Sequence, residues 1–146
     1  MHYFRNADEL KDGDWVLMDY APDFRYYVSD IGRMWPVNGK YAPWQRELLQ
    51  FVLEYRNAVM TRIRPGVSTQ TVLAEARQAM DPILARTKFS KPIYEQAAKR
   101  MLETSGGVFS HTVGMAVHDV GSYRAMLKPG YVFSVHPQMW VPEESL

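Results

Sequence analysis

At 146 residues, with 47% apolar and 23% charged side chains, the chain has the size and composition of one soluble globular domain. Its net charge of +1 supplies no field for nucleic acid or an anionic membrane, and the lack of cysteine excludes disulfides and thiolate metal sites. No apolar run approaches the ~20 residues of a membrane span, and the first eight residues lack a cationic-then-apolar signal pattern, so a cytoplasmic location is expected.

Lys11-Asp12-Gly13-Asp14 is a turn cluster. Trp15–Ala21 is largely apolar and reads as a buried strand, broken by Pro22-Asp23. The aromatic and β-branched run Tyr26–Ile31 predicts a second strand returning antiparallel to the first. With the loop centred on Phe24-Arg25, Asp19 stands directly opposite Asp30. Their Cβ atoms are then ~5 Å apart, close enough for two carboxylates to share a cation. Without a cation they would repel each other.

Trp35–Lys40 reads as a turn-rich exit, and Pro43 opens a helix where its missing N–H costs nothing. Leu48, Leu49, Val52, Tyr55, Val59 and Ile63 recur at helical spacing, and Arg64-Pro65-Gly66 ends the run. Ser68 or Thr69 caps a second helix bearing Val72, Leu73, Ala76, Met80 and Ile83, which Pro82 should kink or divide. A third helix from about Pro92 carries Ile93, Ala97, Met101 and Leu102 and ends at Gly106-Gly107. After the turn Leu127–Gly130, Tyr131–His136 is a last strand, stopped by Pro137. Strands at both ends with helices between them predict one α+β unit.

Between the third helix and that turn lies Phe109–Asp119, an apolar, glycine-punctuated run with imidazoles seven residues apart at His111 and His118. His and Asp are side chains that a transition-metal site uses. Taken singly, His2, His111, His118 and His136 each read more readily as structural or surface residues, and Asp19 and Asp30 as turn formers. Three of the four histidines, however, fall in or beside strand-like apolar segments, where an unpaired polar group is costly to bury. Spacing alone leaves a metal site and a chance gathering of polar groups equally open.

Ser110-His111-x-Val113-Gly114-Met115-x-Val117-His118-Asp119 resembles the signature of the Xaa-Pro aminopeptidase and prolidase branch of the M24 metallopeptidases. Met18–Ala21, Tyr27-x-Ser29-Asp30-Ile31-x-Arg33 and Pro36–Lys40 are similar to that family's segment with the first two metal aspartates. His2-Tyr3, Asn6, Arg64–Val67 and Leu127-x-Pro129-Gly130-x-Val132-Phe133 follow in the same order, so the likeness runs nearly end to end. It implies a partial pita-bread fold, a curved antiparallel sheet backed by helices, holding manganese, cobalt or zinc. Asp19 would hold one metal, Asp30 would bridge, His111 would hold the other, His118 would contact substrate as a catalytic residue, and His2 would line the substrate pocket. The implied reaction is hydrolysis of the peptide bond before proline in a proline-containing peptide.

The pattern breaks at Ser134-Val135-His136-Pro137, where His136 takes the place of the family's glutamate. Imidazole can bind the same metals and move a proton, so His136 is a candidate for both metal and catalytic roles, but it is neutral and cannot bridge as a carboxylate does. The family's last bridging glutamate has no counterpart among Glu143-Glu144-Ser145-Leu146, and the family's catalytic domain begins before His2. Residues 1–146 therefore read as a single, incomplete catalytic domain. The expectations are one ion at most held tightly, impaired cleavage, and self-association into a homo-oligomer through uncovered sheet edges. Two alternatives remain: a non-catalytic relative or fragment that binds a peptide or partner chain, and a creatinase-like C–N hydrolase, which the metal aspartates disfavour.

Overall fold

The computed structural model describes residues 5, 7–121 and 126–144, so His2 lies outside the described residues. The order is four short strands, three helices and two strands: β1 (Trp15–Tyr20), β2 (Asp23–Phe24), β3 (Tyr27–Val28), β4 (Ile31–Pro36), α1 (Pro43–Met60), α2 (Thr69–Arg86), α3 (Pro92–Thr104), β5 (Phe109–Thr112) and β6 (Phe133–Val135). All pairing is antiparallel, in three two-stranded ladders: β1 with β4, β2 with β3, and β5 with β6. The α+β order of the sequence reading is what the chain adopts. No described helix is long and apolar enough to cross a membrane.

The first hairpin corrects the predicted register. Arg25 and Tyr26 both take positive φ, 51° and 71°. The turn therefore centres one residue later than Phe24-Arg25, in the left-handed geometry that suits the twist of a two-residue hairpin. Phe24 pairs with Tyr27, and farther down Asp19 faces Gly32 rather than Asp30. The slip is two positions, so Asp30 becomes a diagonal neighbour of Asp19, and neighbours of that kind share a sheet face. Trp35 and Pro36, read as a turn, are instead the end of β4, with the turn at Gly39, where φ is +71°.

Behind the hairpin, α1 is entered through Gln45. Its buried side chain accepts from the Ala42 N–H at 2.9 Å and donates to Gly13 O at 2.9 Å, tying the helix start to the turn before β1. Ala42 has no side-chain acceptor to answer it, so only half of a capping box is made. Ser68 caps α2, its hydroxyl accepting from the Thr71 N–H at 3.1 Å. Pro82 does not divide α2, which runs unbroken to Arg86. The cap residue after α3 is Ser105, with φ +62°, ahead of the two glycines.

Phe51, Tyr55 and Val59 of α1, Val72, Ala76 and Met80 of α2, and Ala98, Met101 and Leu102 of α3 form the core. Val108, Phe109 and Leu127 complete it, which fixes β5 against the helices. Ring edges add to area burial at Phe109 against Phe133 and Phe51 against Phe89, with centroids 5.3 and 5.4 Å apart. The last strand is shorter than predicted, but the His136 N–H still donates to Val108 O at 2.9 Å, so His136 stays aligned with β5. The Val28 N–H donates to Gly114 O at 2.9 Å, which brings the front hairpin onto the central run.

Candidate metal centre

Phe109 pairs with Val135 and Thr112 with Phe133, so β5 carries one residue more than β6 between those pairs. This bulge falls at Ser110-His111, and bulges commonly re-aim a side chain beside a site. A part-buried hydroxyl pair, Ser110 Oγ to Ser134 Oγ at 2.8 Å, spans the two strands there. His111 Nδ1 lies 3.1 Å from Thr112 O. A carbonyl only accepts, so Nδ1 carries the proton and the Nε2 lone pair faces outward.

That lone pair meets Asp30. Asp30 Oδ2 is 3.1 Å from His111 Nε2 and 3.3 Å from His136 Nε2, and the aspartate side chain is only 5% exposed. Despite these distances, Oδ2 makes no hydrogen bond. An acceptor oxygen buried against an acceptor nitrogen is costly unless a cation stands between them. His118 joins the group from the other side, its ring stacked on His111 at 4.0 Å and 13°. The His111 and His136 rings meet edge to face at 6.1 Å.

The run between the histidines is shaped by Asp119. Its carboxylate accepts from the Met115 and Val120 N–H groups, each at 2.7 Å, while its own N–H donates to Thr112 O at 3.1 Å. The amides of Val120, then of Met115 and Ala116, hold the Asp119 carboxyl below its usual range. Gly114 makes this possible, since a Cβ there would lie 2.1 Å from Asp119 Oδ2. Asp119 is thus the residue in the motif whose role spacing did not reveal. Its place five residues after a glycine was the available signal.

The structure therefore brings Asp30, His111, His118 and His136 together. Asp19 stands exposed on the neighbouring ladder, opposite Gly32. Among the described residues, no three His, Asp or Glu side chains are placed to hold a metal ion as they stand. Asp30, His111 and His136 nevertheless supply the chemistry of such a site. Metal bonds of ~2.0–2.2 Å put adjacent donors ~3 Å apart, the spacing these atoms already have, and the unbonded Asp30 Oδ2 is the atom a cation would satisfy. The donor set fits a divalent ion.

Residues 1–145 match the model of metallopeptidase family M24. The chain belongs to that family. It is 35% identical to Xaa-Pro aminopeptidase 3 of Mus musculus over 146 residues, covering 99% of this chain and 29% of that protein. Among solved structures, proline aminopeptidase P II from Yersinia pestis superposes with a TM-score of 0.67 and 35% identity, covering 99% of this chain and 36% of that one. Zn-substituted aminopeptidase P of E. coli, in complex with product, gives 0.67 and 32%, again over 99% of this chain and 36% of that one. These are pita-bread proteins, and this M24 chain has part of that fold. It spans about a third of the length of the relatives it matches. Family membership and the zinc-substituted relative agree in pointing to divalent-metal dependence.

Proposed function

We propose that this chain carries a central part of an Xaa-Pro peptidase site, hydrolysing the bond before proline, with activity reduced by His136. The observation that supports it most is the buried, unbonded Asp30 Oδ2 facing the His111 and His136 nitrogens. A divalent ion, when bound, lowers the pKa of water and stabilises a developing oxyanion. In this reading Asp30, His111 and His136 hold one ion of manganese, cobalt or zinc, Asp19 contributes from the adjacent ladder, and His2 lines the pocket. His118, exposed at one side and stacked on His111, contacts the scissile carbonyl and donates a hydrogen bond to it. His136 stands where the family has a proton-carrying carboxylate. With its one lone pair given to the ion, it would take the attacking water's proton and pass it to the departing nitrogen only while Nε2 is off the ion, which is why activity is reduced. Because a proline nitrogen has no hydrogen, substrate selection rests on pocket shape.

The test is cleavage of Xaa-Pro dipeptides and tripeptides with manganese, cobalt and zinc added in turn. Cleavage should be measurable, should fall by at least ~100-fold in Asp30→Asn, and should rise in His136→Glu. No cleavage with any metal in either form would leave the second reading, a non-catalytic relative that binds a peptide or partner chain. The replacement of an acidic ligand by His136 is what favours it. Titration of the same peptides against the full chain then separates binding from inertness. We also propose that the chain self-associates through the front hairpin, where Phe24 and Tyr26 are 74% and 82% exposed.

A further inference from the structure

We infer that His136 changes which ion the site selects: with two imidazoles and one carboxylate it prefers zinc-class ions, and manganese is disfavoured relative to a carboxylate at the same position. The inference rests on the reading above only in taking this cluster as the ion site. Three observations carry it. Asp30 Oδ2 is buried on a side chain only 5% exposed and has no hydrogen-bond partner, so the cluster holds one unsatisfied acceptor oxygen. His111 is held by Thr112 O in the tautomer that leaves Nε2 free to bind. The Nε2 of His136 lies 3.3 Å from the same oxygen, on a backbone fixed by its N–H to Val108 O.

Imidazole is a borderline ligand that suits zinc, copper, nickel and cobalt, whereas manganese and magnesium favour carboxylate oxygens. Replacing a carboxylate by a neutral ring also removes one negative charge from the neutralisation of a dication. The charge loss weakens both dications, and the ligand preference is what weakens manganese more than zinc. Because most sites already rank zinc above manganese, the diagnostic quantity is the change in the zinc-to-manganese affinity ratio when residue 136 is altered.

The experiment measures zinc and manganese affinity by equilibrium dialysis on the full chain and on His136→Glu, His136→Gln and Asp30→Asn, each checked for folding by circular dichroism. The ratio should be at least tenfold higher in the unaltered chain than in His136→Glu. His136→Gln, which keeps the side chain's size and neutrality, should lose zinc affinity at least tenfold. Copper(II), as a spectroscopic probe, should show two ring nitrogens in the unaltered chain and one in His136→Glu. An unchanged ratio, or zinc binding in His136→Gln as tight as in the unaltered chain, overturns the inference. If Asp30→Asn still abolishes binding in that case, the peptidase reading survives without it. Zinc binding indifferent to all three substitutions, or none at all in the unaltered chain, overturns both. Should His136→Glu fail to fold, His136→Gln and the nitrogen count of the unaltered chain decide.

Discussion

A methyl group at residue 114 would occupy the space of the Asp119 carboxylate, which two backbone amides hold from the other side. Gly114→Ala must therefore displace that carboxylate or break its bonds, and the loop between His111 and His118 with it. A fall of ~3–6 °C in the thermal midpoint is expected, read by calorimetry. The His111–His118 stack should loosen as well, visible as altered imidazole proton shifts in NMR. At this scale much was legible. His111, His118 and Asp30 were identified from motif and strand pattern, and they do meet. The direct opposition of Asp19 and Asp30 read from the strand pattern does not occur, because the pairing depends on the turn at Arg25-Tyr26, which sets Asp19 opposite Gly32. Neither residue is the glycine or asparagine that usually marks left-handed backbone, so nothing in the sequence fixed that register.

At the level of elements, Pro82 is a local cost carried inside an intact helix. It has no N–H to give to the carbonyl four residues back, yet α2 continues through it because Val72, Ala76 and Met80 before it are buried and Ile83 and Leu84 after it pack against the same core. Pro82→Ala should stabilise the chain by about 1–3 kcal/mol, measured by urea unfolding. The other end of the helical layer is tied down by Glu144. It accepts from Lys91 Nζ at 2.5 Å and from the Tyr94 hydroxyl at 2.7 Å, pinning the turn at 142–144 to the start of α3. The hydrogen bond from Lys91, then that from Tyr94, keeps the Glu144 carboxyl below its usual value of 4.5. A lowered folded pKa gives stability that is fully present above the unfolded value and is lost as pH falls through the folded one. Glu144→Gln should thus melt ~2 °C lower than the unaltered chain at pH 7, with the gap closing below the folded pKa. Helix positions were read well from period and caps, since local rules decide them. The division expected at Pro82 does not occur because tertiary burial, which a sequence window does not display, outweighed it.

For the molecule as a whole, burial is uneven. The three helices and β5 share one core, while Leu17, Tyr20, Phe24, Tyr26 and Tyr27 of the front hairpin stay exposed. If that surface mediates self-association, sedimentation should show a coefficient rising with concentration. Leu17→Lys with Tyr27→Lys should weaken association at least ~10-fold, because substitutions at exposed positions rarely disturb the fold. The α+β order was visible in the alternation of patterns along the chain. The split into three short ladders was not, because strand pairing depends on contacts distant in sequence. The same unevenness bears on Asp30. It rides on the thinly anchored hairpin, whereas His111 is on β5 and His136, just past β6, is tied by its N–H to Val108 O, both backed by the helical core. Regions with few buried apolar contacts breathe at lower energy than the core they lean on. Each such excursion would pull the carboxylate away from the two rings. Amide exchange at residues 15–36 would then slow on adding a captured ion, while the helical amides would barely change, making the seam between the two halves the place where occupancy is felt.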